Sequence, residues 1–124
     1  VLILEDDVTF FKNLEILNSY IDQLKTDFGM LYLSGSHMAP ITKKTENIYN
    51  VKKTFTTNSY IIRRPAMEEF LKHINGYLKE VDVFYTQFIQ PKFKCYVTVP
   101  HVTHQGEGYS DIQEKHVKYR MSYM

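Results

Sequence analysis

Val1-Leu2-Ile3-Leu4-Glu5-Asp6-Asp7 opens the chain with four large apolar residues that run directly into three acids. A strand covered on both faces reads as a continuous apolar run, so residues 1–4 predict a buried β-strand. Three adjacent carboxylates repel one another, and a cation or hydrogen-bond donors relieve that repulsion. Ligands of open α/β sheets gather beyond the carboxyl ends of strands. The junction therefore predicts a divalent-metal site at the carboxyl edge of a sheet. The competing interpretation is a solvated acidic turn that leads into the next helix.

Outward from that junction, apolar and polar residues alternate between two periods. Leu14, Leu17, Ile21, Leu24 and Phe28 recur at steps of three and four, which predicts a helix capped by Thr9 and stopped at Gly29. Met30 to Leu33 reads as a second strand, closed by Ser34-Gly35-Ser36. Residues 37–53 follow neither period and predict a long loop, either plain solvated surface or a flap over an acceptor. Phe55 to Ile62 reads as a strand, and Pro65 opens a helix carrying Met67, Phe70, Leu71 and Ile74 and ended by Gly76. Val81 to Ile89 predicts a short helix stopped by Pro91, and Tyr96 to Val99 a last strand. Alternating strands and helices define an α/β class with a mixed sheet flanked by helices.

Size and charge narrow the options. A chain of 124 residues fits one domain, 1–124. Its net charge of +1 gives no bulk attraction to nucleic acid. Cys95 is the single cysteine, so intrachain disulfides and cysteine metal clusters are excluded, and a small buried apolar role is expected for it. No apolar run approaches transmembrane length. The chain starts within a strand, so partners for residues 1–4 are expected upstream in a longer protein.

Five groups of residues carry candidate chemistry. Glu5, Asp6 and Asp7 offer oxygen ligands suited to Mg²⁺ or Mn²⁺, which commonly bind one or two carboxylates together with substrate phosphates. His101 and His104 follow the last strand, and an imidazole added to an oxygen site favours Mn²⁺ over Mg²⁺. Asp82 begins a short helix, where an acid either complements the helix dipole or serves as a general base. Thr56 to Tyr60 place polar groups on a strand-like segment, as a sugar pocket or as an exposed edge face. Ser110 and Asp111 either bind phosphate or cap a turn. Gly-rich phosphate loops of the P-loop or dinucleotide type are missing.

Leu2-Ile3-Leu4-Glu5-Asp6-Asp7-Val8 followed by a helix and Leu31-Tyr32-Leu33-Ser34-Gly35 resembles glycosyltransferase family 25. Further likeness lies in Thr57-Asn58-Ser59-Tyr60-Ile61-Ile62 before Ala66, in Val81-Asp82, and in Gln105 followed by Ser110-Asp111-Ile112. That group includes lipooligosaccharide and collagen β-galactosyltransferases. The resemblance implies a GT-A fold whose N-terminal nucleotide-binding half precedes this chain. It implies Asp7 and His104 as ligands of Mn²⁺, with Mg²⁺ as the alternative. Glu5, Asp6, Gln105, Ser110 and Asp111 would meet the nucleotide-sugar donor, Ser59 and Tyr60 the acceptor, and Asp82 would be the catalytic base.

The expected function is transfer of a sugar, galactose from UDP-galactose, to a hydroxyl of a glycan or a hydroxylated acceptor, with inversion. Lipopolysaccharide synthesis and collagen glycosylation are the family's two settings, and a bacterial or viral source would favour the cytoplasm. A non-catalytic carbohydrate-binding or interaction domain that kept the fold is the alternative. Metal-dependent phosphotransfer is a third, which needs acids on further strands that the sequence does not supply.

Overall fold

Met30, Leu31 and Tyr32 are wholly buried, and they form the strand around which the other elements are arranged. The structure is a computed structural model, and it describes residues 1–25, 28–105, 108–110 and 115–117. In chain order the elements are β1 (Leu2–Leu4), β2 (Val8–Phe10), α1 (Ile16–Leu24), β3 (Met30–Tyr32), β4 (Ser36–His37), β5 (Thr42–Thr45), β6 (Ile48–Asn50), β7 (Thr54–Phe55) and β8 (Ser59–Ile62). They continue with α2 (Arg64–His73), α3 (Val81–Phe84), a π-helical turn (Tyr85–Ile89), β9 (Cys95–Thr98), β10 (Thr103–Gln105), β11 (Gly108–Ser110) and β12 (Lys115–Val117).

Six strands form one mixed sheet in the order β1-β8-β3-β9-β6-β5, and three two-stranded ladders lie beside it. β3 runs antiparallel to β8 and parallel to β9. Successive strand side chains point to opposite faces, and the two cores follow that rule. Met30, Tyr32, Tyr60, Ile62, Cys95 and Val97 face α2 and the π-helical turn. Leu31, Leu33, Ile61 and Tyr96 face the stripe Leu17, Tyr20 and Leu24 of α1. Helices thus cover both faces of the sheet. Among the described residues, no helix is long and apolar enough to cross a membrane.

Several sequence expectations are corrected. β1 exists, but it is the outer edge strand, paired only with β8 within the sheet, and Leu2, Ile3 and Leu4 are 37–42% exposed. An apolar run alone does not distinguish a buried strand from an edge. Thr9 does not cap a helix; it lies in β2, opposite His104 of β10. α1 starts seven residues later, at Ile16, after a turn in which Asn13 Oδ1 accepts the Glu15 N–H at 3.0 Å. Segment 37–53 is not a loop: β5 and β6 make a hairpin that joins the sheet through β9, with Ile48 fully buried. The strand expected over 55–62 breaks at Thr56, whose φ of 85° a β-branched residue adopts only under strain, of order 1–3 kcal/mol. The expected 81–89 helix is α3 followed by the π turn, where Gln90 N–H bonds Tyr85 O at 2.8 Å. The Cys95 expectation holds, since burial pushes its thiol up to about 12.

Gly29 does not stop α1, which ends at Leu24. It lets β3 approach the segment before β9: its N–H bonds Lys94 O at 2.7 Å, and an added Cβ would lie 2.5 Å from Phe93 Cβ. Gly29→Ala is expected to destabilise the fold by about 1–3 kcal/mol, as overpacking of a filled core does. Urea unfolding would show this as a lower midpoint at unchanged slope.

Candidate functional site

β1, β3 and β9 point the same way, because each is parallel to the next or related to it through antiparallel β8. Their carboxyl ends, together with the amino end of β8, share one edge of the sheet. Glu5 to Asp7 leave β1 there, Ser34 leaves β3, His101 follows β9, and Asn58 precedes β8. The Glu5 N–H bonds Asn58 O at 2.8 Å, which pins the acidic turn to the start of β8. Strand-end topology therefore delivers the acids to the position expected of them.

Electrostatics show which acids meet. The Glu5 carboxyl is raised above its ordinary value, first by burial and then by Asp7, Asp6 and Asp82, against a lowering contribution from the Thr57 hydroxyl, which donates to Oε1 at 3.4 Å. Asp82 lies 75 or more residues along the chain from the other three, and packing brings it within their field. Its Oδ1 also accepts the Val83 N–H at 2.8 Å, within the first turn of its own short helix. Beside the acids, the Tyr60 hydroxyl bonds that of Tyr85 at 2.7 Å. Burial raises the Tyr60 phenol, and the nearby Glu5 charge adds to the shift.

Behind the acids lies a buried polar network. The Ser34 and Ser59 hydroxyls donate to Asn58 Oδ1 at 2.7 and 3.0 Å, Ser59 bonds Thr103, and Thr103 reaches Ser34 at 3.4 Å. All four residues are at most 1% exposed. Asn58 Nδ2 and His37 Nε2 are buried without a hydrogen-bond partner in the structure. His37 Nδ1 lies 2.7 Å from Thr54 Oγ1, and its ring meets that of His101 edge-on at 6.2 Å. Gln90 ties the region to the core: it accepts the Thr54 N–H and donates to both Thr54 O and the Tyr32 hydroxyl.

The sequence-derived residues sort as follows. Asp6, Asp7 and Asp82 add to the field at Glu5, whose charge in turn acts on Tyr60, while Glu5, Asp6 and Asp7 are all exposed to solvent. Ser59 is fully buried in the polar network rather than lining a surface. His104 stands opposite Thr9, two residues from Asp7, and its ring stacks on Phe11 with centroids 4.4 Å apart. The Gln105 and Ser110 side chains and all of Asp111 lie outside the described residues. Among the described residues, no group of three or more His, Cys, Asp or Glu side chains is arranged to hold a metal ion. The chemistry of the donor set still suits a hard cation, because the carboxylate oxygens of Glu5, Asp6, Asp7 and Asp82 are of the kind such a cation prefers. Thr103, Tyr85 and His37 were not singled out as site residues, and Asn58 was read only as one of the polar run 56–60. Only the polar run 56–60 and the Ser34-Gly35-Ser36 turn hinted at such a network.

Scans of the chain against protein-family models, curated proteins and solved structures match nothing.

Buried His101 and half-buried His37 make stability depend on pH. Burial, and then His37, lowers the His101 imidazole from 6.5 to about 4, and burial lowers His37 too. A proton binds the unfolded chain before the folded one, so the folded state loses stability as pH falls from about 6.5 toward 4. Above that window both states are neutral and this contribution is flat. Urea midpoints measured between pH 7 and pH 4 are expected to fall, with His101 contributing about 3 kcal/mol. His101→Gln is expected to flatten the profile by that amount.

Proposed function

We propose that this chain carries the metal-binding and acceptor side of a glycosyltransferase with a GT-A-like sheet, which moves galactose from UDP-galactose to an acceptor hydroxyl with inversion. The observation that carries this reading is the gathering of Asp82 with Glu5, Asp6 and Asp7 at the carboxyl edge of the sheet. Glu5, Asp6 and Asp7 are exposed and Asp82 is half-buried, and like charges from two distant parts of the chain whose fields overlap at Glu5 favour a cation or a polar substrate there. A carboxyl raised by partial burial and neighbouring charges at a sheet edge, as that of Glu5 is, supports a functional site there.

In this reading Asp7 and His104 would hold Mn²⁺, or Mg²⁺ in its place, and such an ion would supply positive charge against the diphosphate of the donor. Glu5 and Asp6 face the sugar nucleotide, with Gln105, Ser110 and Asp111 completing the donor side. Tyr60 and Ser59 belong to the acceptor side. The acceptor oxygen forms a bond to the anomeric carbon while the bond from that carbon to the diphosphate oxygen breaks. Asp82 takes the hydroxyl proton, its carboxylate oriented by the Val83 N–H.

One observation favours a sugar-binding domain without catalysis: the described acids and His104 do not form a ready-made ligand set. Isothermal titration of the longer parent protein with UDP in the presence of Mn²⁺ separates the readings. Asp7→Asn is expected to weaken Mn²⁺-dependent UDP binding at least tenfold, and equal binding by the two proteins removes the transferase reading. In a donor-hydrolysis assay, Asp82→Asn is expected to lower turnover by about 10²–10⁴-fold, the usual contribution of a general base. Acceptor binding without any turnover favours the binding domain.

A further inference from the structure

Tyr60 and Tyr85 are both buried, and their hydroxyl oxygens lie 2.7 Å apart, so one phenol donates to the other. Sheet register brings an acid to Tyr60. In the β1–β8 ladder Ile3 stands opposite Tyr60 and Leu4 opposite Ser59, which makes Glu5 a diagonal neighbour of Tyr60 on the same face. The Glu5 charge acts on Tyr60 accordingly. Tyr85 follows α3 with helical backbone angles, φ −62° and ψ −36°, so Asp82 lies three residues back on the same helical face.

The two hydroxyls are not equivalent. The Tyr85 ring packs against Phe70, Phe84 and Tyr60, with centroids 5.9, 6.2 and 5.4 Å away. Among the described residues, the Tyr60 oxygen is the acceptor that the structure gives the Tyr85 hydroxyl. If Tyr60 donated instead, the Tyr85 proton would be buried among these rings without a partner, which is costly. The Tyr60 proton has another direction open to it, toward the negative field of Glu5. Burial raises both phenols, and the shared bond then raises Tyr85 further while working against the rise at Tyr60. That opposition is what a Tyr85 donor and a Tyr60 acceptor produce.

We propose that Tyr85 is a positioning residue, whose hydroxyl donates to the Tyr60 oxygen and so turns the Tyr60 proton toward Glu5 and an oxygen of the acceptor. Its role in the reaction rests on the transferase reading, whereas the direction of the bond rests on the packing alone. A sugar hydroxyl suits this pairing, because it accepts from a phenol and donates to a carboxylate at the same time. A bare cation has no use for the phenol proton, so Tyr60 marks the place of a neutral hydroxyl beside the charged groups.

Fluorine NMR of the longer parent protein, with 3-fluorotyrosine placed at position 60, reports the ionisation of that phenol. A donor stabilises the phenolate it bonds, so Tyr85→Phe is expected to shift the Tyr60 midpoint to higher pH. A shift to lower pH would show Tyr60 to be the donor, and an unmoved midpoint would show no bond; either overturns the proposal. Urea unfolding gives a second measurement. Tyr60→Phe strands the Tyr85 proton and is expected to lower the midpoint further than Tyr85→Phe, which leaves the Tyr60 proton facing Glu5. A Tyr85→Phe protein that is the less stable of the two, or that does not fold, overturns the proposal. In Mn²⁺-dependent hydrolysis of UDP-galactose, Tyr85→Phe is expected to lower turnover about fivefold, the worth of one hydrogen bond. The double variant is expected to be no slower than Tyr60→Phe alone, as for a residue that acts through another. Losses that multiply would overturn the positioning role. If no form of the protein hydrolyses the donor, the transferase reading falls and the role of Tyr85 in it falls too, while the fluorine shift still decides the direction of the bond.

Discussion

The two-sided burial of β3 is the constraint from which the rest of the structure follows. Its three residues have no exposure, so each neighbour must present an apolar face at the right register. A one-residue slip would turn Met30 and Tyr32 toward α1, and Leu31 toward the π-helical turn. β8 and β9 are held in place by the same requirement, and with them the ends of β1, β3 and β9 line up on one edge. The acidic turn is then positioned by backbone geometry: one hydrogen bond from Glu5 to Asn58 O continues the β1–β8 ladder into the site.

The polar layer behind the acids is closely tied to that framework. Ser34 and Thr103 are brought together because Val102 and Thr103 both donate backbone N–H groups to Leu33 O, at 2.9 and 3.4 Å. Asn58 then spans β3 and β8 through the two serines. Low-dielectric surroundings strengthen such a network when its members are satisfied and make an open position costly. The same low-dielectric environment keeps His101 and His37 neutral.

Much of the layer arrangement could be read from the sequence. Met30 to Leu33 and Tyr96 to Val99 differ from β3 and β9 only at their ends, and Pro65 does lie in the first turn of α2. The apolar step Leu17, Ile21, Leu24 found α1, although Leu14 and Phe28 fall outside it. The hairpin over 42–50 was missed because β5 is Thr-Lys-Lys-Thr on an outer edge, and a strand with little to bury shows no apolar period. The β2–β10 ladder joins segments about 95 residues apart and leaves no local trace. At the site, the acids were visible because charge clustering is visible in sequence. Thr103 was not, and Asn58 stood out only as one of the polar run 56–60, since a hydroxyl or amide looks the same in sequence whether it lies in a core or in water.

The π-helical turn holds one residue more per turn than an α-helix would, and it separates two groups with different work. On its upstream side Asp82 reaches the acids, and on its downstream side Gln90 clasps Thr54 and Tyr32. Tightening the coil to ordinary α geometry would rotate one end relative to the other by about a quarter of a turn, as the loss of one residue from a 3.6-residue period requires. Either the glutamine clasp or the aspartate would then leave its place. The extra residue between them therefore acts as a phase adjuster that lets one short segment serve the core and the charged rim together.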